Sequence, residues 1–185
     1  YGIPRAHYCM VLGKATHCDI ICAHLWPQRT AGRGMETFGL NSEDLTNPRN
    51  FLRLHNTIEK AFDCKRLAFL PADDFVSGVG NPVSLKVVIL DPKLHQEPLS
   101  HGDTSTTMGA LHNKAFHFKF PREKSPFLRV IAIHAFRAHQ KAMDNLWLDD
   151  SAHIYEGQRR AKELARKSLD KDDPSFVMQR FFGEK

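Results

Sequence analysis

Ile21-Cys22-Ala23-His24-Leu25-Trp26-Pro27, followed further along by Asn50-Phe51-Leu52-Arg53-Leu54-His55-Asn56-Thr57-Ile58-Glu59-Lys60-Ala61-Phe62-Asp63, is the part of this sequence that decides its fold. The first stretch belongs to a β-prone run, Cys18 to Trp26, that stops at Pro27, which has no backbone N–H to continue a ladder. In the second, Phe51 to Leu54 is a short apolar run. Ile58, Ala61 and Phe62 then recur at the spacing of one apolar helical face. The segment reads as strand, long loop, strand, short helix, with a further strand at Leu67 to Leu70. His24, Asn50 and Glu59 are its polar residues of interest.

Before this segment, Tyr8 to Leu12 is another compact β-prone run, closed by Gly13. Residues 28–49 form a polar loop rich in Arg, Gly, Thr, Asn, Asp and Pro; loops of that length are usually functional. After Pro71 come a stretch punctuated by Gly78, Gly80 and Pro82, a strand at Leu85 to Leu90, and a polar loop over 93–110. His112 to Phe120 alternates as a half-buried strand, with Phe116, Phe118 and Phe120 on one side. Ser125-Pro126 suits an N-cap and first turn. Phe127, Ile131, Ala135, Ala138, Ala142 and Leu146 mark the long helix behind it, and a second helix runs from about Ala152 to Leu169. An aromatic tail (Phe176, Phe181, Phe182) closes the chain. The expected class is α+β, with residues 1–71 as a core and 72–185 as a strand-and-helix extension packed on it.

The whole composition agrees with a globular protein: 185 residues, 42% apolar and 25% charged, enough to bury a core. Apolar runs such as Val87 to Leu90 are far shorter than the ~20 residues a membrane-spanning helix needs. The abundant aromatic and β-branched residues exclude intrinsic disorder. The chain opens on Tyr1, so it reads as a piece of a longer protein. Twenty-six Lys and Arg against 21 Asp and Glu leave +5, a tilt toward polyanions. Four cysteines (Cys9, Cys18, Cys22, Cys64) form no CxxC pair and read as reduced, small buried hydrophobes. Zinc held by Cys9, Cys18 and Cys22 with His17 or Cys64 is the alternative.

Ordered as they are, four pieces resemble the HNH endonucleases of the ββα-metal (His-Me finger) class. They are Cys9-Met10-Val11-Leu12-Gly13, Ala23-His24-Leu25-Trp26-Pro27, Asn50, and Phe62-Asp63. The resemblance spans residues 8 to about 70. It implies a ββα-metal core, with the later strands and two C-terminal helices added to it. The subgroup's last motif His falls here on Glu59, an H-N-E variant, and Ala23 stands where many members carry an extra metal ligand. His55 is the rival for the third motif position. The domain type also occurs in fungal proteins and Crinkler-type effectors.

The resemblance implies metal-dependent hydrolysis of DNA phosphodiesters. His24 would be the general base, and Asn50 and Glu59 would hold one divalent cation, Mg²⁺ or Mn²⁺ given the oxygen-rich ligands. Arg29, Arg33, Arg49 and Arg53 around the motif, and Arg159, Lys162 and Arg166 on the late helix, are the expected DNA contacts. An ordinary solvated face paired with Glu156 and Glu163 is the other reading of that helix. RNA is a second candidate substrate. The expected location is an intracellular, reducing compartment, the nucleus of the cell or of a host included. Two alternatives stand beside this reading: an inactive HNH-fold nucleic-acid-binding module, and a zinc-stabilised interaction domain.

Overall fold

Short antiparallel pairings, each specified by local turn chemistry, build the first half of the molecule. The computed structural model describes residues 8–14, 19–72, 83–101, 104–118, 125–148 and 151–168. Strands β1 (Tyr8–Cys9) and β2 (Gly13–Lys14) pair across a tight turn in which Gly13 takes φ 86°, a left-handed conformation that favours glycine. Strand β3 (Ile20–His24) pairs with β4 (Phe51–His55), setting His24 opposite Phe51. Helix α1 (Asn56–Asp63) follows β4 without a break. Its start is fixed by His55, whose Nδ1 accepts the Thr57 N–H at 3.3 Å. Ile58, Ala61 and Phe62 are its buried face, as the periodicity requires. The expected ββα unit is present.

Residues 28–49 differ from the open loop expected of their composition. They wind through 3₁₀ turns at Gln28–Thr30, Met35–Phe38, Ser42–Leu45 and Pro48–Asn50. Asn41 caps the third with a reciprocal capping box to Asp44, and Met35, Phe38 and Leu40 anchor the excursion in the core. The polar stretch 93–110 is likewise structured. It contains a 3₁₀ turn (Pro92–Gln96), then β7 (Pro98–His101) paired with β8 (Thr104–Thr107), then a second 3₁₀ turn (Met108–Leu111). Leu94, Leu99, Met108 and Leu111 seat it.

A second sheet has the order β5 (Leu67–Pro71), β6 (Ser84–Ile89), β9 (Ala115–His117), all antiparallel. Every residue of β5 is buried. Leu67 and Phe69 join the main core with Ile58, Phe62, Leu85, Val87, Phe116 and Ile131. On the other side Ala68 and Leu70 join Ala135, Ala138, Ala142 and Ala161 from the two long helices. Strand β9 is shorter than expected, though Phe116 and Phe118 are buried as the alternation requires. Arg66, just before β5, is tied to Asp91 (2.7 Å) and to Glu97, which fixes the strand's entry.

Helices α2 (Leu128–Asp144) and α3 (Ser151–Ser168) pack along a seam of small residues. Helix α2 begins later than Ser125-Pro126 implied. Phe127 is its N-cap without a side-chain bond, and the Ser125 carbonyl instead accepts from Arg49 Nε at 2.7 Å. The helices meet most closely where buried His139 faces Gly157; a Cβ built on Gly157 would lie 1.9 Å from His139 Nε2. His139 is held by its Nδ1 against the Ala135 carbonyl at 2.8 Å. Gly157→Ala should therefore cost roughly 2 kcal/mol of stability through overpacking, read as a lower urea midpoint with an unchanged slope. The stretch around Gly78, Gly80 and Pro82 and the tail with Phe176, Phe181 and Phe182 lie outside the described residues, as do His17 and Cys18.

Candidate active site

At the end of β3 the chain turns outward at Pro27, and the geometry there is set by one buried side chain. Asn50 has no exposed surface. Its Oδ1 accepts the Trp26 N–H at 2.8 Å, and its Nδ2 donates to the carbonyls of Leu45 (3.0 Å) and Trp26 (3.3 Å). The adjacent Leu25 N–H donates to the Asn50 carbonyl at 2.8 Å. Asn50 thus clamps the segment following His24 to the start of β4. This corrects the expectation that Asn50 is a metal ligand: its amide is engaged by backbone groups and shut away from any solvent-borne ion.

His24 sits half-buried, its ring 4.3 Å from the Phe51 ring across the strand pair. It lines a cleft of about 340 Å³ between the end of β3, one face of α1, and α2. Glu59 and Asp63, one helical turn apart on α1, line the same cleft. Lys65 lies on it too, just past the helix end in a left-handed conformation (φ 57°). Arg29 reaches the cleft from the first 3₁₀ turn, and Cys22 from β3, two residues before His24. His24, Glu59 and Arg29, all singled out in the sequence, thus line one cleft. Asp63 entered the sequence reading only as part of the Phe62-Asp63 piece, although the i, i+4 spacing to Glu59 already put both carboxylates on one face.

Glu59 carries the electrostatic signature of the site. Burial, and then the Asp63 carboxylate, raise its pKa above the ordinary 4.5, with Lys60 acting in the opposite direction. A carboxyl whose folded pKa lies above its unfolded value lowers stability as pH rises through that interval. Glu59→Gln is therefore expected to melt at a higher temperature than wild type at pH 7. The difference should shrink as pH falls and vanish below about 4.5, where both states of the wild type are protonated. Thermal melts of both proteins from pH 3 to 8 check it; identical melting at pH 7 would contradict the burial of a charge here.

His55 does not line the cleft. It is buried, caps α1, and places its Nε2 3.9 Å from Asp19 Oδ2. Of the two rivals for the third motif position, Glu59 lines the cleft and His55 does not.

Of the expected nucleic-acid contacts, Arg29 and Arg33 are exposed beside the site, with Arg33 Nε donating to the Thr30 carbonyl. Arg53 is half-buried on β4, opposite Cys22. Arg49 Nε donates to the Ser125 carbonyl and the guanidinium lies 4.7 Å over the Phe127 ring, so this side chain has structural contacts of its own. On α3, Arg159 pairs with Glu156 (2.6 Å) and Glu163 (3.7 Å), and Arg160 with Glu156 (2.9 Å). These Arg contacts hold the Glu156 carboxyl down to about 2. Lys162 Nζ is 5.8 Å over the Phe136 ring. That face is internally compensated, the solvated alternative, and the Arg166 side chain lies outside the described ones.

Cys9 is buried, its Sγ accepting the His55 N–H at 3.3 Å, whereas Cys22 and Cys64 are exposed free thiols. Among the described cysteines only Cys9 matches the buried-hydrophobe expectation. Among the described residues no three His, Cys, Asp or Glu side chains converge as a metal cage. The donors at the cleft are instead an imidazole and two carboxylates, with Glu59 destabilised by its neighbour Asp63. That donor set fits a hard divalent cation held by few protein ligands and otherwise by water or phosphate oxygens. It does not fit structural zinc, which takes a closed four-ligand shell.

With this geometry in place the comparisons can be read. Residues 9–70 match the family model described as HNH endonuclease, and they form an HNH domain. That segment contains His24, Asn50, Glu59 and Asp63, and it ends inside β5. No curated protein and no solved structure matches the chain.

Proposed function

We propose, from the premise that residues 9–70 are an HNH endonuclease domain, that this protein hydrolyses DNA phosphodiesters with His24 as general base and one divalent cation, Mg²⁺ or Mn²⁺, at Glu59 and Asp63. The observation that carries the proposal is the convergence of His24, Glu59, Asp63, Lys65 and Arg29 on one open cleft. A neutral imidazole takes a proton from water near neutral pH. The strand pairing with Phe51 and the Asn50 clamp hold it in place while it does so. Lys65 and Arg29 supply positive charge for a phosphate. The bound cation, when present, stabilises charge developing on the phosphate and the leaving oxygen. Asn50 is a positioning residue in this scheme.

Free thiols at Cys9, Cys22 and Cys64 accord with a reducing compartment. DNA rather than RNA is the first substrate to test. Wild-type protein should nick supercoiled plasmid with Mg²⁺ or Mn²⁺ and lose that activity on addition of EDTA. Binding in a gel shift without nicking, under every divalent cation tried, would replace the nuclease by the inactive binding module.

A further inference from the structure

Helix α2 lies outside the HNH segment, yet it sends one polar side chain to the cleft. His134 lines it together with His24, Glu59, Asp63 and Lys65. Its ring stacks flat on Phe62, with 3.6 Å between centroids and 8° between planes. Phe62 directly precedes Asp63, so the stack registers the imidazole against the end of α1 that carries Asp63.

Packing alone does not call for a histidine here. A phenylalanine would stack on Phe62 without burying a polar atom, whereas His134 Nδ1 is shut off from solvent without a well-formed hydrogen-bond partner. Buried polar atoms left in that state are rare and call for a reason. His139, on the same helix, shows the ordinary solution: its Nδ1 meets the Ala135 carbonyl at 2.8 Å, away from the cleft. Burial, and then the Lys65 charge, push the His134 pKa down to about 3; the Phe62 backbone opposes the shift without cancelling it. The ring therefore stays neutral at working pH, with one N–H donor and one lone pair.

We propose that His134 is a substrate-contacting residue of this cleft, its Nε2, the ring nitrogen that is not shut off from solvent, hydrogen-bonding the phosphodiester on which His24 acts, so that α2 completes the site from outside the HNH segment. The proposal rests on the nuclease reading for the identity of the ligand. It assigns the phosphate two walls: β3 with α1 on one side, α2 on the other.

The test uses the full chain and two readouts. His134→Phe keeps the stack and removes both nitrogens. It should melt no lower than wild type and nick plasmid roughly 10- to 100-fold more slowly, the loss expected of one hydrogen bond to a charged group. Separately, the ring ¹⁵N resonances of His134 in the non-cleaving His24→Ala protein should shift when a short DNA duplex is titrated in. Nicking at the wild-type rate by a folded His134→Phe overturns the proposal. So does an unmoved ring resonance at saturating duplex, which holds even if the Phe variant fails to fold. If wild type nicks nothing, the nuclease reading falls. The resonance then decides alone: a shift supports a nucleic-acid contact at His134, and none rejects it.

Discussion

His24→Ala is expected to slow plasmid nicking by roughly 10²- to 10⁴-fold, the usual cost of losing a general base, while duplex affinity and melting temperature stay close to wild type. The reason lies in where the ring sits. His24 ends β3, half-buried, and touches its neighbour mainly through the tilted contact with Phe51, so truncation removes little core. The positive charges on the cleft, Arg29 and Lys65, come from other segments and survive the change. Binding and chemistry should therefore separate: a His24→Ala protein holds duplex in an anisotropy titration and leaves it intact on a gel. A variant that nicks at the wild-type rate would remove His24 from the reaction.

Asn50 makes the second large prediction, and its sign discriminates two roles. Asn50→Ala leaves the Trp26 N–H and the Leu45 and Trp26 carbonyls without their partner in a part-buried setting. It should cost about 3 kcal/mol, given ~1–3 kcal/mol for each buried group orphaned. Asn50→Asp sharpens the point. A metal ligand would be improved by a carboxylate, and cation affinity would rise. A clamp would be broken, because a second oxygen would replace the amide that donates to two carbonyls. The expected result is that Asn50→Asp destabilises the fold, read by urea titration, and loses cleavage with it, because the turn after His24 is no longer fixed. A stable Asn50→Asp protein with tighter Mn²⁺ binding would restore Asn50 to the ligand shell.

These cases show which features were legible in the sequence. The strand ending at Pro27 and the run from Asn50 into α1 follow from local periodicity and chain-breaking chemistry, and the structure keeps both; the Phe62-Asp63 piece is legible only through the resemblance. Asn50 was visible as a residue but not as a clamp, since its partners are backbone atoms of Trp26 and Leu45, which no side-chain pattern encodes. His134 did not stand out in the sequence because the fold, not the spacing, brings α2 to the cleft. The two polar stretches were read as loops because 3₁₀ turns and a Thr-rich hairpin lack strong apolar periodicity. One local signal was there to be used: Asn41 with Asp44 three residues on is a capping-box pattern. The solvated reading of α3 was also available from Glu156 and Glu163, and the ion pairs agree with it.

Strand β5 has a bearing on how this HNH domain is made and borrowed. The HNH segment ends within it, and its five residues are covered on one face by the main core and on the other by the alanines of α2 and α3. A nascent chain released from the ribosome only to that point would show Leu67 to Pro71 bare, and its cleft would lack the wall that α2 provides. On the proposed reading, the cleft is complete only once α2 has followed the HNH segment and folded against it. For the same reason residues 9–70 are a poor cassette for grafting: a fusion that carries the motif without α2 and α3 exports an apolar strand rather than an activity.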